Sequence, residues 1–471
     1  MSRKGEATDE SGSAVSIDAR SIWQAGVDAV DSGRLVRAAV DCDGTVLDVC
    51  GRRHRLESLE RLIVVGGGKA GAGMSAAIEE LLPADFVSDR VSGWVNVPAD
   101  CVRSLSSIHL HSARPGGVNE PTVEGVAGSR AILSLVSEAG ENDLVLVLLS
   151  GGGSALLPAP AAGITLDDKL AVTRLLMLSG ASINQLNTVR KRLSALKGGN
   201  LARAAGMAGA VQSLVISDVI GDPLDIIASG PTVADLGSDL EALDVLKQFA
   251  SRYDDVPEVV WRTLESGAAA GGSGVSEELP ESVSNHVIGN NEMAVAAAAA
   301  HASGLGYHVQ VLGSANQGVA REQGVSLLEL CRAIRSGSAA GLEPESGLVE
   351  LPACVLSGGE PLVELSETDE PRRGGRNQEL ALAVLDAAWD SGLDRVVILS
   401  GGTDGEDGPT DAAGAIVDQD LWRTVRTLKR HPGPFLAIND SYGYFESVGG
   451  LLQTGPTHTN VMDLRVGLVT S

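Results

Sequence analysis

The sequence predicts an α/β fold in two domains. A Rossmann-like α/β/α N-terminal domain on a mainly parallel sheet precedes a smaller α/β C-terminal domain, with the active site expected in the cleft between them. Three observations carry this reading. At 471 residues the chain exceeds what one ordinary core holds. Four short apolar runs stop at glycine turns. Leu62–Val65 meets Gly66-Gly67-Gly68-Lys69, and Leu144–Leu149 meets Ser150-Gly151-Gly152-Gly153-Ser154. Cys354–Leu356 meets Ser357-Gly358-Gly359-Glu360, and Val396–Leu399 meets Ser400-Gly401-Gly402-Thr403-Asp404-Gly405. Such runs read as strands buried on both faces, the habit of parallel sheets. Finally, strand and helix signals alternate along the chain, as they do in layered α/β domains.

Residues 1–14 are polar and read as a disordered tail, leaving 15–280 for the first domain and 281–471 for the second. A helix begins near Ile17. Leu35–Val40 and Thr45–Val49 read as a hairpin about the Asp43-Gly44 turn. There follow a strand at Ile63, a helix over Ala72–Leu82, a strand at Val91–Val97 and a helix over Thr122–Ala139. A strand at Val145, two helices and the strand Ser213–Ser217 complete the domain. Gly267–Ser284, rich in Gly and Ser, reads as the linker. Beyond it, strands at His286–Ile288 and His308–Leu312 flank an alanine-rich helix. Gly337–Gly341 reads as a surface loop, and further strands fall at Ala353, Val396 and Leu464.

Composition narrows the function. A formal net charge of −25 repels nucleic acid and anionic membranes, so neither is expected as a partner. An anionic substrate must then be met by a local basic cluster. Five scattered cysteines without metal or disulfide spacing suggest a reducing compartment. With no secretory or membrane-spanning apolar segment, the expectation is a cytoplasmic protein.

Several constellations carry chemistry. Over Ser179–Leu201, Ile183, Leu186, Val189, Leu193 and Leu196 form one apolar helical stripe, with Asn187, Arg190, Lys191, Ser194 and Lys197 opposite and Gly198-Gly199 as the stop. In so acidic a chain a basic stripe suggests an anion site; a solvated face is the alternative. Gly66, Gly68 and Gly71 satisfy the G-x-G-x-x-G pattern, but Asp85 and Asp89 precede the next strand and Asp100 lies too far past it to be the ribose acid. Lys69 in that turn suits a phosphoryl-binding point charge. Thr403–Asp411 gathers four carboxylates, hard ligands that suit Mg²⁺ held with phosphates. Arg376 and Asn377 open the helix before that strand and could face an anion, and Asp218 ends another strand. Asp41–Val46 imitates the nucleophile loop of dehalogenase-type phosphatases, although a hairpin turn explains it better. His109 and His111 alternate on a strand-like stretch and read as structural.

Leu146–Pro160, Gly163–Ala202, Ile216–Thr232, Gly375–Leu380, Gly402–Asp418 and Thr454–Asp463 together resemble the glycerate 2-kinases, the class II glycerate kinases with a C-terminal MOFRL domain. The resemblance implies transfer of the γ-phosphoryl of ATP to D-glycerate, giving 2-phosphoglycerate with Mg²⁺, and small-molecule partners, with a homodimer left open. It implies catalytic roles for Lys69, Glu360, Arg376 and Asp404, with Asp218 and Asp404 toward metal. Substrate or phosphate would be bound by Ser150, Gly151, Gly152, Gly153, Ser154, Asn187, Arg190, Lys191, Lys197, Asn377 and Asn460. Two departures bear on substrate placement: Ser112–Pro121 replaces the family's His-Pro-x-Pro-Asp block, and His458 stands where glycine is usual. The competing readings are an NAD(P)-dependent hydroxypyruvate reductase and a non-catalytic protein that binds a sugar acid or phosphate.

Overall fold

A buried tryptophan, Trp23, ties the first helix to the second sheet. In the computed structural model, which describes residues 14–118, 120–269, 279–338 and 349–471, helix α1 (Ala14–Ala29) packs Ile22, Trp23 and Val27 against Val295, Ala298, Leu464 and Val466. The Trp23 indole N–H donates to the Gly401 carbonyl at 3.2 Å. The first helix therefore belongs to the C-terminal unit, not to an N-terminal domain starting at residue 15. Two compact units result. The N-terminal unit holds Asp31–Asn290 and His458–Val461, and the C-terminal unit holds the rest. Of the expected tail, residues 1–13 lie outside the described residues.

The N-terminal unit opens with α2 (Ser32–Ala39), whose first turn is capped by the Asp31 carboxylate accepting the Arg34 N–H. Leu35–Ala39, expected to be extended, is thus helical, and only Val40 onward is strand. β1 (Val40–Cys42), β2 (Val46–Val49) and β3 (Arg52–Arg55) form an antiparallel sheet. Asp43 accepts the Thr45 and Val46 N–H groups and the Thr45 hydroxyl. The Thr45 hydroxyl and these amides hold its pKa down at about 2. This is hairpin-turn chemistry, not a nucleophile's.

Next come β4 (Leu62–Gly67), α3 (Gly71–Leu81), α4 (Ala84–Arg90), β5 (Val91–Pro98), β6 (Ile108–Arg114), α5 (Val123–Ser137) and β7 (Leu144–Leu149). α6 (Gly153–Leu156), α7 (Leu166–Leu178), α8 (Ile183–Arg192), α9 (Asn200–Ala204), β8 (Ala210–Ile216), α10 (Asp239–Phe249), α11 (Glu258–Ala269) and β9 (Val283–Gly289) follow. The six strands make one parallel sheet in the order β6-β5-β4-β7-β8-β9. β4 and β7 are buried throughout, as their unbroken apolar runs require. The order reverses between β4 and β7, so this is the switch point beyond whose carboxyl ends a ligand crevice forms. β9 completes the sheet by pairing Val283 with Val211 along the free edge of β8. The strand expected to open the second domain therefore closes the first. The chain changes unit at Asn290, past the supposed linker, of which 270–278 lie outside the described residues.

The C-terminal unit contains α12 (Asn291–Gly304), β10 (His308–Val311), α13 (Ala320–Arg335), β11 (Ala353–Gly359), α14 (Arg376–Ala387), β12 (Val396–Gly402) and β13 (Gly414–Val417). It ends with α15 (Gln419–Thr427), α16 (Gly433–Ala437), α17 (Ser441–Val448), β14 (Leu451–Leu452) and β15 (Asp463–Val469). Its sheet runs β10-β11-β15-β12-β13-β14, and only β10 and β11 pair in parallel. The sheet is nonetheless buried on both sides, because α1 and α12 cover one face and α13 and α14 the other. Most of the expected loop after Gly337 (339–348) lies outside the described residues. Among the described residues no helix is long and apolar enough to cross a membrane.

Candidate active site

At the switch point of the N-terminal unit, two glycine turns lock together. The Lys69 N–H donates to the Gly151 carbonyl at 2.9 Å, and the Ala70 N–H to the Ser150 hydroxyl at 3.0 Å. Gly66 and Gly68 hold φ of 150° and 156°. A Cβ on Gly66 would strike the Leu148 carbonyl, and one on Gly68 the Ser150 hydroxyl. The glycines thus serve the neighbouring turn. In a dinucleotide site the second glycine leaves room for a pyrophosphate; here Ser150 fills that room.

Around the second turn stand Asp218, Asn460, Lys69 and Arg114. The Asn460 amide donates to Asp218 at 3.3 Å. A Cβ on Gly151 would collide with both Asn460 and Asp218, and one on Gly152 would lie 3.3 Å from the Arg114 guanidinium and 3.7 Å from the Lys69 side chain. Arg114 lies in the stretch that departs from the family pattern, and sequence reasoning gave it no role. It is buried on β6, donating to the Pro115 and Val118 carbonyls. His458, the other departure, holds φ 58°, the left-handed region in which glycine is the easy choice.

The basic stripe is built differently from expectation. α8 ends at Arg192, not at Gly198-Gly199, and Ile183 faces solvent. The supposedly outward residues Asn187, Lys191, Ser194 and Lys197 are buried instead. Lys191 lies 3.6 Å from Asp225 and 3.5 Å from Asp235, so its charge is already compensated. The fully buried Lys197 ammonium donates to the Ala228 carbonyl at 2.9 Å and to the Ser229 hydroxyl at 3.4 Å. The Ser229 hydroxyl also reaches the Asn187 amide oxygen (3.3 Å) and the Ser154 hydroxyl (3.2 Å). Ala228 and Ser229 hold φ of 50° and 62°. Non-glycine residues in this region are strained, and such strain clusters at functional sites. Burial, with Arg190, Lys169 and Lys191 nearby, pushes the Lys197 pKa well below its ordinary value.

In the C-terminal unit the sheet register assembles a second cluster. β15 lies between β11 and β12, so Asp463 faces both Gly359 and Gly402 at the ends of those strands. Arg376, first residue of α14, donates to Asp463 through Nε (2.6 Å) and Nη2 (3.0 Å) and to Glu360 through Nη1 (2.8 Å). Burial opposes its charge, but Asp463 and Glu360 outweigh that and raise its pKa. Glu360, half-exposed, is pushed up by desolvation, with Arg376 opposing and Asp463 and Asp404 reinforcing the rise. Beneath them, Asn377 bridges Asp463 (3.0 Å) and the Ser400 hydroxyl (2.6 Å). Arg465, two residues on from Asp463 and also buried, donates to the Ser357 hydroxyl at 3.4 Å.

The acidic loop after β12 is not a metal cage. Asp407 is buried and caps α14, accepting the Asn377 and Gln378 N–H groups at 3.0 and 2.8 Å. Burial, with Asp463 nearby, raises its pKa to about 7. Asp411 binds the Tyr442 hydroxyl. Asp404 accepts the Glu406 N–H and remains part-buried at the strand end. No group of three or more potential ligand side chains is poised to hold a metal among the described residues. Asp463 and Arg465 were missed in the sequence, where Asp407 was read as one of four carboxylates suited to Mg²⁺ rather than as a helix cap. Their signal is charge inside a buried element: Asp463 and Arg465 interrupt the apolar run of β15.

Comparison with known proteins finds family matches in both parts of the chain. A family model described as a domain of unknown function (DUF4147) matches residues 18–265, and the MOFRL family model matches residues 353–463. A glycerate kinase of Rattus norvegicus is 39% identical, over 97% of this chain and 93% of its own. The chain belongs to the glycerate kinase family. A D-glycerate 2-kinase of Thermotoga maritima is 36% identical over 88% of this chain and 91% of its own. A crystal structure of glycerate kinase from the same organism superposes with a TM-score of 0.78 at 33% identity, covering 97% of this chain and 99% of that one.

Proposed function

We propose that the protein transfers the γ-phosphoryl group of ATP to the 2-hydroxyl of D-glycerate, giving 2-phosphoglycerate, in the cytoplasm. The observation that carries this reading is the match to glycerate kinases over 97% of the chain, which spans both units. Phosphoryl transfer asks a protein for positioning and charge neutralisation rather than covalent chemistry. Lys69, fixed at the switch point through its backbone, supplies a point charge to phosphoryl oxygens. Arg376, held in a fork by Asp463 and Glu360, presents a pre-aimed guanidinium to a second anion. Glu360, with its raised pKa, accepts the proton that leaves the attacking hydroxyl.

Mg²⁺ in such sites is held by one or two carboxylates together with substrate phosphates. Asp218 and Asp404, each at a strand end without a surrounding acidic cage, fit that sparse donor set. When bound, the ion neutralises phosphate charge. The reductase reading is disfavoured by the Gly68 turn, whose pyrophosphate space Ser150 occupies.

The test is ADP release from ATP and Mg²⁺ with and without D-glycerate, run beside NAD(P)H oxidation with hydroxypyruvate. Glycerate-dependent ADP release without NAD(P)H oxidation is expected. The opposite pair of results would replace the kinase with the reductase.

A further inference from the structure

Beside the start of α14 the C-terminal unit carries a cavity of about 200 Å³. Its lining comes from the segment after β11, from residues 372–375, from α14 and from the loop after β12, all within that unit. Pockets for whole drug-sized ligands run to roughly 300–1,000 Å³, so this one suits a single ring system rather than a complete nucleotide. Val363, Leu365 and Pro409 supply apolar wall. Leu365 stands at the rim with 68% of its surface exposed. A lone exposed leucine needs no explanation, but one that lines a cavity has a place for a ligand to cover it.

The polar groups of the cavity are already engaged. Glu379 is buried and accepts the Arg321 Nε–H at 2.7 Å and the Asn439 amide at 2.9 Å, one on each oxygen. Asn439, also buried, donates to the Glu364 carbonyl at 3.1 Å, and its oxygen accepts the Ser366 N–H and hydroxyl, each at 2.8 Å. Arg372 donates to the Ser366 carbonyl at 2.6 Å. Arg373 donates to Glu446 at 2.9 Å and lies over the Tyr442 ring at 4.4 Å.

This chemistry decides what fits. The carboxylate of glycerate could meet an arginine here, but its two hydroxyls would then face Val363, Leu365 and Pro409 while Glu379 and Asn439 are taken. Polar groups buried without partners are costly. A flat aromatic ring loses little against apolar walls, and guanidiniums held in place attract its π face. Position agrees with this. Gly375 both lines the cavity and caps α14, and Arg376 is the next residue. A ring seated in the cavity therefore brings what it carries beside the Arg376–Asp463 cluster.

We propose that this cavity receives the nucleobase of the phosphoryl donor, with Val363, Leu365 and Pro409 as its apolar wall and Arg372 and Arg373 beside the ring. The proposal rests on the kinase reading for its nucleotide and goes beyond it by assigning base recognition to the C-terminal unit.

Titration calorimetry on the full-length protein tests it with ADP, pyrophosphate and D-glycerate, on wild type, Leu365→Ser, Val363→Thr and Leu365→Met. Leu365→Ser and Val363→Thr should each weaken ADP by about fivefold or more, and Leu365→Met should keep most of the affinity. Pyrophosphate, which has no base, should bind all four proteins alike. Equal weakening of ADP and pyrophosphate would overturn the proposal, because the loss would then lie with the phosphates. Loss confined to D-glycerate would overturn it in favour of the acid, and unchanged ADP affinity in both folded variants, or no ADP binding by wild type, would overturn it outright. ADP binding that depends on Leu365, in a protein whose wild type shows no glycerate-dependent ADP release, would instead overturn the kinase reading and keep the base site.

Discussion

The two charge clusters solve opposite problems. In the C-terminal unit, Arg376 forks onto the buried Asp463 and the half-exposed Glu360, so each charge meets its opposite. In the N-terminal unit, the buried Lys169 ammonium has no hydrogen-bond partner among the described residues, and the Lys197 ammonium donates to the neutral Ala228 carbonyl and Ser229 hydroxyl. A balanced network aims a side chain before substrate arrives. A buried ammonium left without a partner is a cost that the fold carries.

Breaking the balanced side should have the largest effect. Asp463→Ala leaves the part-buried Arg376 guanidinium without its buried acid and should destabilise the protein by about 3–5 kcal/mol in urea denaturation. Asp463→Asn, which keeps the shape, should cost less. Catalysis comes next. Arg376→Ala and Lys69→Ala should each lower kcat/KM by at least about a hundredfold if they neutralise developing charge. Near-normal turnover in either variant removes that residue from the mechanism. Glu360→Gln sharpens the assignment of the proton acceptor. A base works only when ionised, so wild-type kcat should fall as pH drops through the raised Glu360 pKa, and the variant should be slow with that limb flattened.

A further effect is a pH term in stability. Asp407 has a folded pKa of about 7, above its unfolded value, so the folded state binds the extra proton. Its contribution is fully present below about pH 4 and fades as pH rises toward 7. Asp407→Asn should flatten the stability profile across that window, as read from denaturation midpoints. On the unbalanced side the sign reverses relative to Asp463: removing the Lys169 charge should not destabilise the free protein.

Much of this was legible in the sequence because it is local. The β4 and β7 runs, the glycine turns behind them and the Asp43 hairpin all follow from short-range pattern and turn chemistry. What escaped depends on distant pairing. That β9 joins the first sheet, and that α1 packs on the second, are set by free sheet edges and uncovered faces that no local signal reports. Lys191 and Lys197 read as part of an outward basic stripe, an anion site or a solvated face, because periodicity marks faces but not which face is covered. Asp463 acquires its meaning only when β15 slots between β11 and β12.

The most direct test of the account is phosphorus–proton correlation NMR of the product formed from ATP, Mg²⁺ and D-glycerate. The account predicts a phosphorus coupled to the proton on carbon 2, appearing with wild type and nearly absent with Arg376→Ala. A phosphorus coupled to the carbon-3 protons, or no phosphorylated acid at all, would contradict it.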